Sequence, residues 1–192
     1  MNAEIDITGV VLKTKRLVLR PWRWEDLDDF YEYARVDGVG QMAGWNPHKS
    51  REESAEILKS FIDHRCNFAI EYNGKVIGSV GLEKYSEDYL KEFADKRCRE
   101  IGYALSKDYW GQGIMPEAVS EVIRYLFEEQ DLDVIFCGHF MRNTRSQRVQ
   151  EKCGFTHYLY DKYTTRIGTV EDNEINILTR QMWEENRKEQ CL

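Results

Sequence analysis

An apolar run, Glu100-Ile101-Gly102-Tyr103-Ala104-Leu105-Ser106, passes through Tyr109-Trp110-Gly111-Gln112-Gly113 into a second run that opens Ile114-Met115-Pro116-Glu117-Ala118. The first has the composition of a strand and the second that of a helix, so Gly111 and Gly113 fall in the turn between them. Glycines at this spacing let the backbone come close to a bulky anion, and the free N–H groups and dipole of a helix start place partial positive charge at the same spot. The chemistry that suits such a turn is phosphate binding. The dinucleotide fingerprint G-x-G-x-x-G fails at Pro116, which stands where its third glycine belongs, and no Gly-Lys-Ser/Thr follows to make a P-loop.

Periodicity predicts the elements that hold this turn. Lys15 to Trp22 alternates, with Leu17 and Leu19 on one face, and reads as a first strand limited by Pro21. A helix follows from Glu25, where Leu27, Phe30, Tyr31 and Ala34 recur at three- and four-residue intervals. After the loop Asp37 to Pro47, Ser50 and Glu53 form a capping box for a helix reaching about His64. Asn67 to Tyr72 and Lys75 to Leu82 are strands joined by the hairpin signal Asn73-Gly74. Ser86 to Arg99 is dense in charge and reads as a long, mobile connection to the strand Glu100 to Ser106. The helix after Gly113 buries Ala118, Val119, Val122, Ile123 and Leu126, with Pro116 in its first turn. Val134 to Phe140 is a buried strand, Ser146 to Lys152 a short helix stopped by Gly154, and Phe155 to Tyr163 and Glu174 to Trp183 two final antiparallel strands before a frayed polar tail.

A chain of 192 residues fits one domain, 1–192 with its core at about 12–184. An apolar share of 42% suffices for a core and excludes a disordered chain. The net charge of −7 argues against nucleic acid as partner. Cys66, Cys98, Cys137, Cys153 and Cys191 are scattered, odd in number and without C-x-x-C spacing, so they read as reduced thiols and no metal site is expected. Neither a basic-then-apolar leader nor an apolar run of membrane-spanning length stands in the sequence, which makes a cytoplasmic protein without membrane attachment the expectation.

The segment Trp110-Gly111-Gln112-Gly113-Ile114-Met115 resembles the cofactor motif Q/R-x-x-G-x-G/A of the GNAT superfamily of N-acetyltransferases. Trp110 and Met115 depart from the general pattern at its ends, yet the form W-G-x-G-x-M/A-x-E-A is similar to that of the ribosomal-protein N-terminal (alanine/serine) acetyltransferase branch. Asn143-Thr144-Arg145-Ser146, Val149 and Glu151-Lys152-Cys153-Gly154-Phe155 resemble the same branch's N-x-x-S-x-x-V-x-E-K-x-G-F, and Thr14 to Pro21 resembles its T-x-R-L-x-L-R-P. The resemblance extends from about Lys15 to Trp183. It implies an α/β (α+β) GNAT fold, a central, mixed, mostly antiparallel splayed sheet of about seven strands with helices on both faces.

The resemblance also implies transfer of an acetyl group from acetyl-CoA, as co-substrate, to a primary amine. Trp110, Gly111, Gln112, Gly113, Ile114 and Met115 would hold the CoA pyrophosphate, with the pantetheine arm against the backbone of Ala104, Leu105 and Ser106 and hydrogen-bonded by Asn143. An N–H near Leu105 would polarise the acetyl carbonyl. Glu100 is the candidate base for the amine, its plain alternative being a surface carboxylate. Many GNAT enzymes carry a tyrosine as acid at the position of Gln150; the branch alternative is Ser146, which reads equally as the N-cap of its helix. An α-amine of pKa near 8 is neutral in roughly one molecule in ten at pH 7, a lysine amine in only about one in 2,500, so a modest base favours a protein or peptide N-terminus as acceptor. A small-molecule acetyltransferase for a polyamine, amino acid or antibiotic, and a non-catalytic acyl-CoA-binding module, are the competing readings; monomer and homodimer are both compatible.

Overall fold

The two residues of the Asn73-Gly74 turn take positive φ, 51° and 80°, the geometry that a tight hairpin demands, and the strands on either side pair directly across it. In the computed structural model, which describes residues 1–190, these strands lie within an eight-stranded sheet. Its members are β1 (Leu12–Lys13), β2 (Leu17–Pro21), β3 (Asn67–Tyr72), β4 (Lys75–Glu83), β5 (Cys98–Leu105), β6 (Val134–Phe140), β7 (Thr156–Thr164) and β8 (Val170–Thr179). The helices are α1 (Leu27–Ala34), α2 (Arg51–His64), α3 (Ile114–Glu128), α4 (Thr144–Lys152) and α5 (Arg180–Gln190). The strand order is β1-β2-β3-β4-β5-β6-β8-β7, antiparallel throughout except for the parallel pair β5–β6. Parallel neighbours need a long crossover, and α3 supplies it.

Alternation along the strands assigns the two faces. Phe68 and Ile70 of β3, with Leu17 and Leu19 of β2, pack with Val119, Val122, Ile123 and Leu126 of α3. Ala69 of β3 and Val76 of β4 turn the other way, onto Phe30 and Tyr33 of α1 and Leu58 of α2. The apolar α3 residues at 119, 122, 123 and 126 are all at most 1% exposed, and each such buried side chain contributes about 2 kcal/mol of transfer free energy. α2 starts as its sequence demands, with the Ser50 hydroxyl accepting from the Glu53 N–H at 3.2 Å.

The mixed, mostly antiparallel sheet is as expected, with the two-residue β1, paired with Leu19 and Val18, as an eighth strand beside the seven read from sequence. Two sequence expectations are corrected. The final strand ends at Thr179, and residues read as the rest of that strand and a frayed tail form α5, where Trp183 stacks on Phe127 of α3. The charged connection is anchored as well: Tyr85 and Leu90 are 2% and 3% exposed and pack with Phe136 and Ile175, and Cys98 and Arg99 already belong to β5. Few apolar residues stand in that segment, but they fall where the sheet face needs covering. Cys66, Cys98, Cys137 and Cys153 are free thiols; Cys191 lies outside the described residues.

Candidate active site

The parallel pairing of β5 with β6 covers only Cys98↔Val134, Arg99↔Ile135 and Glu100↔Phe136. Beyond Glu100 the two strands part, although β5 continues to pair with β4 as far as Leu105. The result is a notch with Glu100 at its apex. Backbone direction alternates along a strand. Ser106 N–H donates to Ile77 O of β4, whereas Arg97 O accepts from Asp133 and Val134 on the β6 side. Odd-numbered residues of β5 therefore turn their backbone groups toward the notch: Tyr103 and Leu105 face it, while Ala104 and Ser106 face β4. Leu105 O is taken by the Trp110 indole N–H at 2.9 Å, which leaves the Leu105 N–H for the notch.

At the far end of β5, Gly111 and Gly113 have φ of 75° and 73°, values that a side chain would strain. No protein group among the described residues accepts from the backbone N–H groups of 111–115, and Gly113, the N-cap of α3, offers no side chain to do so. Five consecutive donors at a 15-residue helix start, with nothing within 4 Å of the position of a Gly111 Cβ, form a cradle for an anion of pyrophosphate size. The residues present thus fit the diphosphate of a coenzyme A ester. The cradle is held in place by Glu117 in the first turn of α3, which accepts from the Thr14 hydroxyl at 2.6 Å, from Arg16 N–H at 3.0 Å and from Arg16 Nε at 2.7 Å. Arg16 Nη1 in turn donates to Gln112 O at 3.0 Å. This clamp is the physical content of Thr14 and Arg16 in the opening motif. Arg20 is structural by contrast, buried in a bidentate pair with Asp26 and a further contact to Glu71. Glu117→Ala is expected to raise the acetyl-CoA KM by about tenfold, the loss of one or two charge-assisted hydrogen bonds from the cradle, with a smaller change in kcat; initial-rate kinetics check both.

Glu100 faces the opposite side of the sheet from α3 and α4. It is half-buried, has no hydrogen-bond or ion-pair partner among the described residues, and its Cα partner on β4 is Glu83. Burial, followed by the charges of Glu83 and Asp161, pushes its carboxyl up to about 7. Such a carboxylate is a competent proton acceptor near neutral pH.

On the α4 side, four side chains form one hydrogen-bonded row. Asn176 Nδ2 donates to Gln150 Oε1 at 2.7 Å, and Gln150 Nε2 donates to Gly138 O at 3.3 Å and to Ser146 Oγ at 3.2 Å. A main-chain carbonyl can only accept, so this contact fixes the orientation of the Gln150 amide. The Tyr103 hydroxyl lies 2.8 Å from Ser146 Oγ and 3.2 Å from Ser146 O. Burial pushes the Tyr103 phenol well above its usual value, so it remains protonated. Ser146 is not the N-cap of its helix, as the alternative reading of the sequence had it. That role falls to Asn143, whose Oδ1 accepts from Ser146 N–H at 3.2 Å while its Nδ2 donates to Met42 O at 3.1 Å. Tyr103, Gln150 and Asn176 were not among the residues expected from sequence. Gln150 carried a signal, since an uncharged amide fully buried in an otherwise polar helix must be satisfied by partners; the other two become neighbours only through the sheet.

An open sheet parted between its two parallel strands, with an amide cradle at the start of the following helix, is a frame that fits a coenzyme A-borne acyl group. Residues 16–156 match the model of the acetyltransferase (GNAT) domain. The chain belongs to the GNAT acetyltransferases and is an acetyl-CoA-dependent N-acetyltransferase. It is 30% identical to the probable N-acetyltransferase YjcK of Bacillus subtilis over 179 residues, covering 86% of this chain and 94% of that one. Over 88 residues, 45% of each protein, it is 30% identical to the [ribosomal protein uS5]-alanine N-acetyltransferase of Escherichia coli. The crystal structure of a GNAT-family acetyltransferase from Bacillus anthracis shares the fold, with a TM-score of 0.78, 22% identity, and coverage of 90% of this chain and 99% of that one. Among the described residues no helix is long and apolar enough to cross a membrane, and no three His, Cys, Asp or Glu side chains group to hold a metal ion.

Proposed function

We propose that the protein acetylates the α-amine at the N-terminus of a peptide or protein. The observation that carries this reading is Glu100, a desolvated carboxyl titrating near 7 at the apex of the notch. A base of that strength is about one pKa unit below an α-amine and more than three below a lysine amine, so deprotonation of the former is far less uphill. The similarity to the Escherichia coli enzyme for ribosomal protein uS5 supports the same substrate class. Free thiols at Cys66, Cys98, Cys137 and Cys153 fit a cytosolic site of action.

In this mechanism the amine nitrogen attacks the acetyl carbonyl and its proton goes to Glu100. The Leu105 N–H, fixed on the notch edge, donates to the carbonyl oxygen as negative charge develops there. As the C–S bond breaks, the departing sulfur takes the proton of Ser146 Oγ, which is replenished through Tyr103 or solvent. Gln150 Nε2 donates to Ser146 Oγ, and in the 2.8 Å contact between the Tyr103 and Ser146 hydroxyls either oxygen can be the donor; with Tyr103 as donor, the serine hydrogen is left to point into the notch. Ser146→Ala is expected to lower kcat by about tenfold to a hundredfold with the acetyl-CoA KM nearly unchanged, and Tyr103→Phe to reproduce part of that loss, both read from thiol release. The substrate assignment is tested with a panel of N-terminal peptides, Nα-blocked lysine peptides, amino acids and polyamines. Transfer to free peptide N-termini with kcat/KM at least about tenfold above every other amine supports it; faster transfer to blocked lysine peptides or small amines overturns it.

A further inference from the structure

Beside the notch, on the face that bears Glu100, the sheet carries a surface recess of about 420 Å³ lined by Met141, Tyr160, Asp161, Asp172 and Asn173. Asn173 of β8 is 6% exposed, yet its side-chain amide has no hydrogen-bond partner among the described residues. The amide nitrogen and oxygen lie 3.4 Å and 3.6 Å from the point a Cβ on Gly138 would occupy, and Glu100 Oε1 lies 3.6 Å from the same point. Asn173 and Glu100 therefore face each other across a glycine that leaves the space open. The amide is not sealed from solvent, so its donor and acceptor stay available to a ligand in the recess.

The charges around this recess are unevenly matched. Lys162 pairs with Asp172, and Arg142 pairs with Glu171 at 2.9 Å. Asp161, Glu83 and Glu100 have no cationic partner among the described residues, although the first two are close enough to raise the pKa of the third. These carboxylates are not grouped tightly enough to hold a metal ion. Their spacing along the sheet suits an extended organic cation, because Asp161 sits opposite Asn173 on β7, two strands out from β6.

We propose that the recess reads a second positive charge on the acceptor: Glu100 takes the reacting amine, the Asn173 amide hydrogen-bonds the polar group next to it, and Asp161 receives a cationic group a few bonds further on. The inference rests on the acetyl-transfer reading of the notch and narrows its acceptors to amines with a neighbouring cation. A peptide with lysine or arginine just after its N-terminal residue and a short diamine share that chemistry.

The test is calorimetric binding to the CoA-loaded protein, with alanyl-lysyl-alanine amide against its norleucine counterpart, and 1,4-diaminobutane against butylamine. The wild type is expected to bind the dicationic member of at least one pair about fivefold more tightly or better, and Asp161→Asn to bring that ratio close to one. Asn173→Ala is expected to weaken both tripeptides severalfold; circular dichroism confirms that each variant is folded. A ratio near one in the wild type, or an unchanged ratio in Asp161→Asn, overturns the inference. Preference in the tripeptide pair alone identifies a basic N-terminus, preference in the diamine pair alone a small polyamine. Turnover of the same compounds separates the two readings: selective binding without acetylation of any amine refutes acetyl transfer and leaves the recess standing, whereas acetylation of every amine without selective binding refutes the recess alone.

Discussion

Glu100→Gln is expected to lower kcat/KM by about a hundredfold or more above pH 7 and, at the same pH, to make the protein more stable. The wild-type carboxyl titrates at about 7, so wild-type activity should fall as pH drops through 7 and the base takes up its proton. The deficit of the variant is then largest on the alkaline side and shrinks in acid, where the wild type is itself switched off. The rising limb near 7 should vanish from the variant's kcat/KM profile, leaving only the titration of the amine substrate. Stability has the opposite sign. A carboxyl whose pKa is raised on folding keeps its proton more readily in the native state, so its stabilising contribution is present below about 4.5 and is lost as pH rises to about 7. Removing the charge should recover at most about 3 kcal/mol above pH 7 and nothing at pH 4. Thermal melting of both proteins at pH 8 and pH 4 measures it. Equal melting temperatures at pH 8, or a retained rising limb near 7 in the variant, would remove Glu100 as the desolvated base.

Gly113→Val is expected to raise the acetyl-CoA KM by about a hundredfold. The added Cβ would stand 3.6 Å from Arg16 Nη2, in the clamp that holds the cradle, and losing two charge-assisted hydrogen bonds at about 1.5 kcal/mol each accounts for that factor. A β-branched residue at φ 73° also strains the backbone by about 1–2 kcal/mol or more, which lowers the melting temperature by several degrees in a protein of this size. Strain and ligand loss are separated by Gly74→Val, at φ 80° in the β3–β4 hairpin with nothing within 4 Å of its Cβ position. That variant should melt lower as well, with the acetyl-CoA KM unaltered. An unchanged KM in Gly113→Val would show that the turn does not hold the diphosphate.

Much of this architecture was legible in the sequence because it depends on local chemistry. The Asn73-Gly74 turn, the Ser50 cap of α2 and the long apolar stripe of α3 are each dictated by residues within a few positions of one another, and the structure places them within a residue or two of the expected bounds. The glycine turn was legible for the same reason: positive φ at Gly111 and Gly113 and a helix starting at Ile114 are local properties. The misreadings have a physical cause too. Asp172 and Asn173 belong to β8 despite their low strand propensity, because β8 is paired on both sides, and the ladder with β6 and β7 outweighs local preference. The polar residues after Thr179 form a helix because Trp183 and Met182 find a surface on the sheet-and-α3 core that periodicity alone does not display.

The sequence by itself therefore determined the run of principal elements from β2 to β8, the glycine turn before α3 and the GNAT membership, all of which follow from patterns contiguous along the chain. Only the tertiary structure decided what surrounds the chemistry. That Glu100 lies where β5 leaves β6, and so loses water and gains Glu83 and Asp161 as neighbours, depends on strand order and register. That Ser146 is held by Tyr103 and Gln150, and is freed from capping by Asn143, depends on how α4 lies on the sheet. Desolvation and hydrogen-bond geometry vary over a few ångströms between residues distant in the chain, and a linear pattern does not contain that distance.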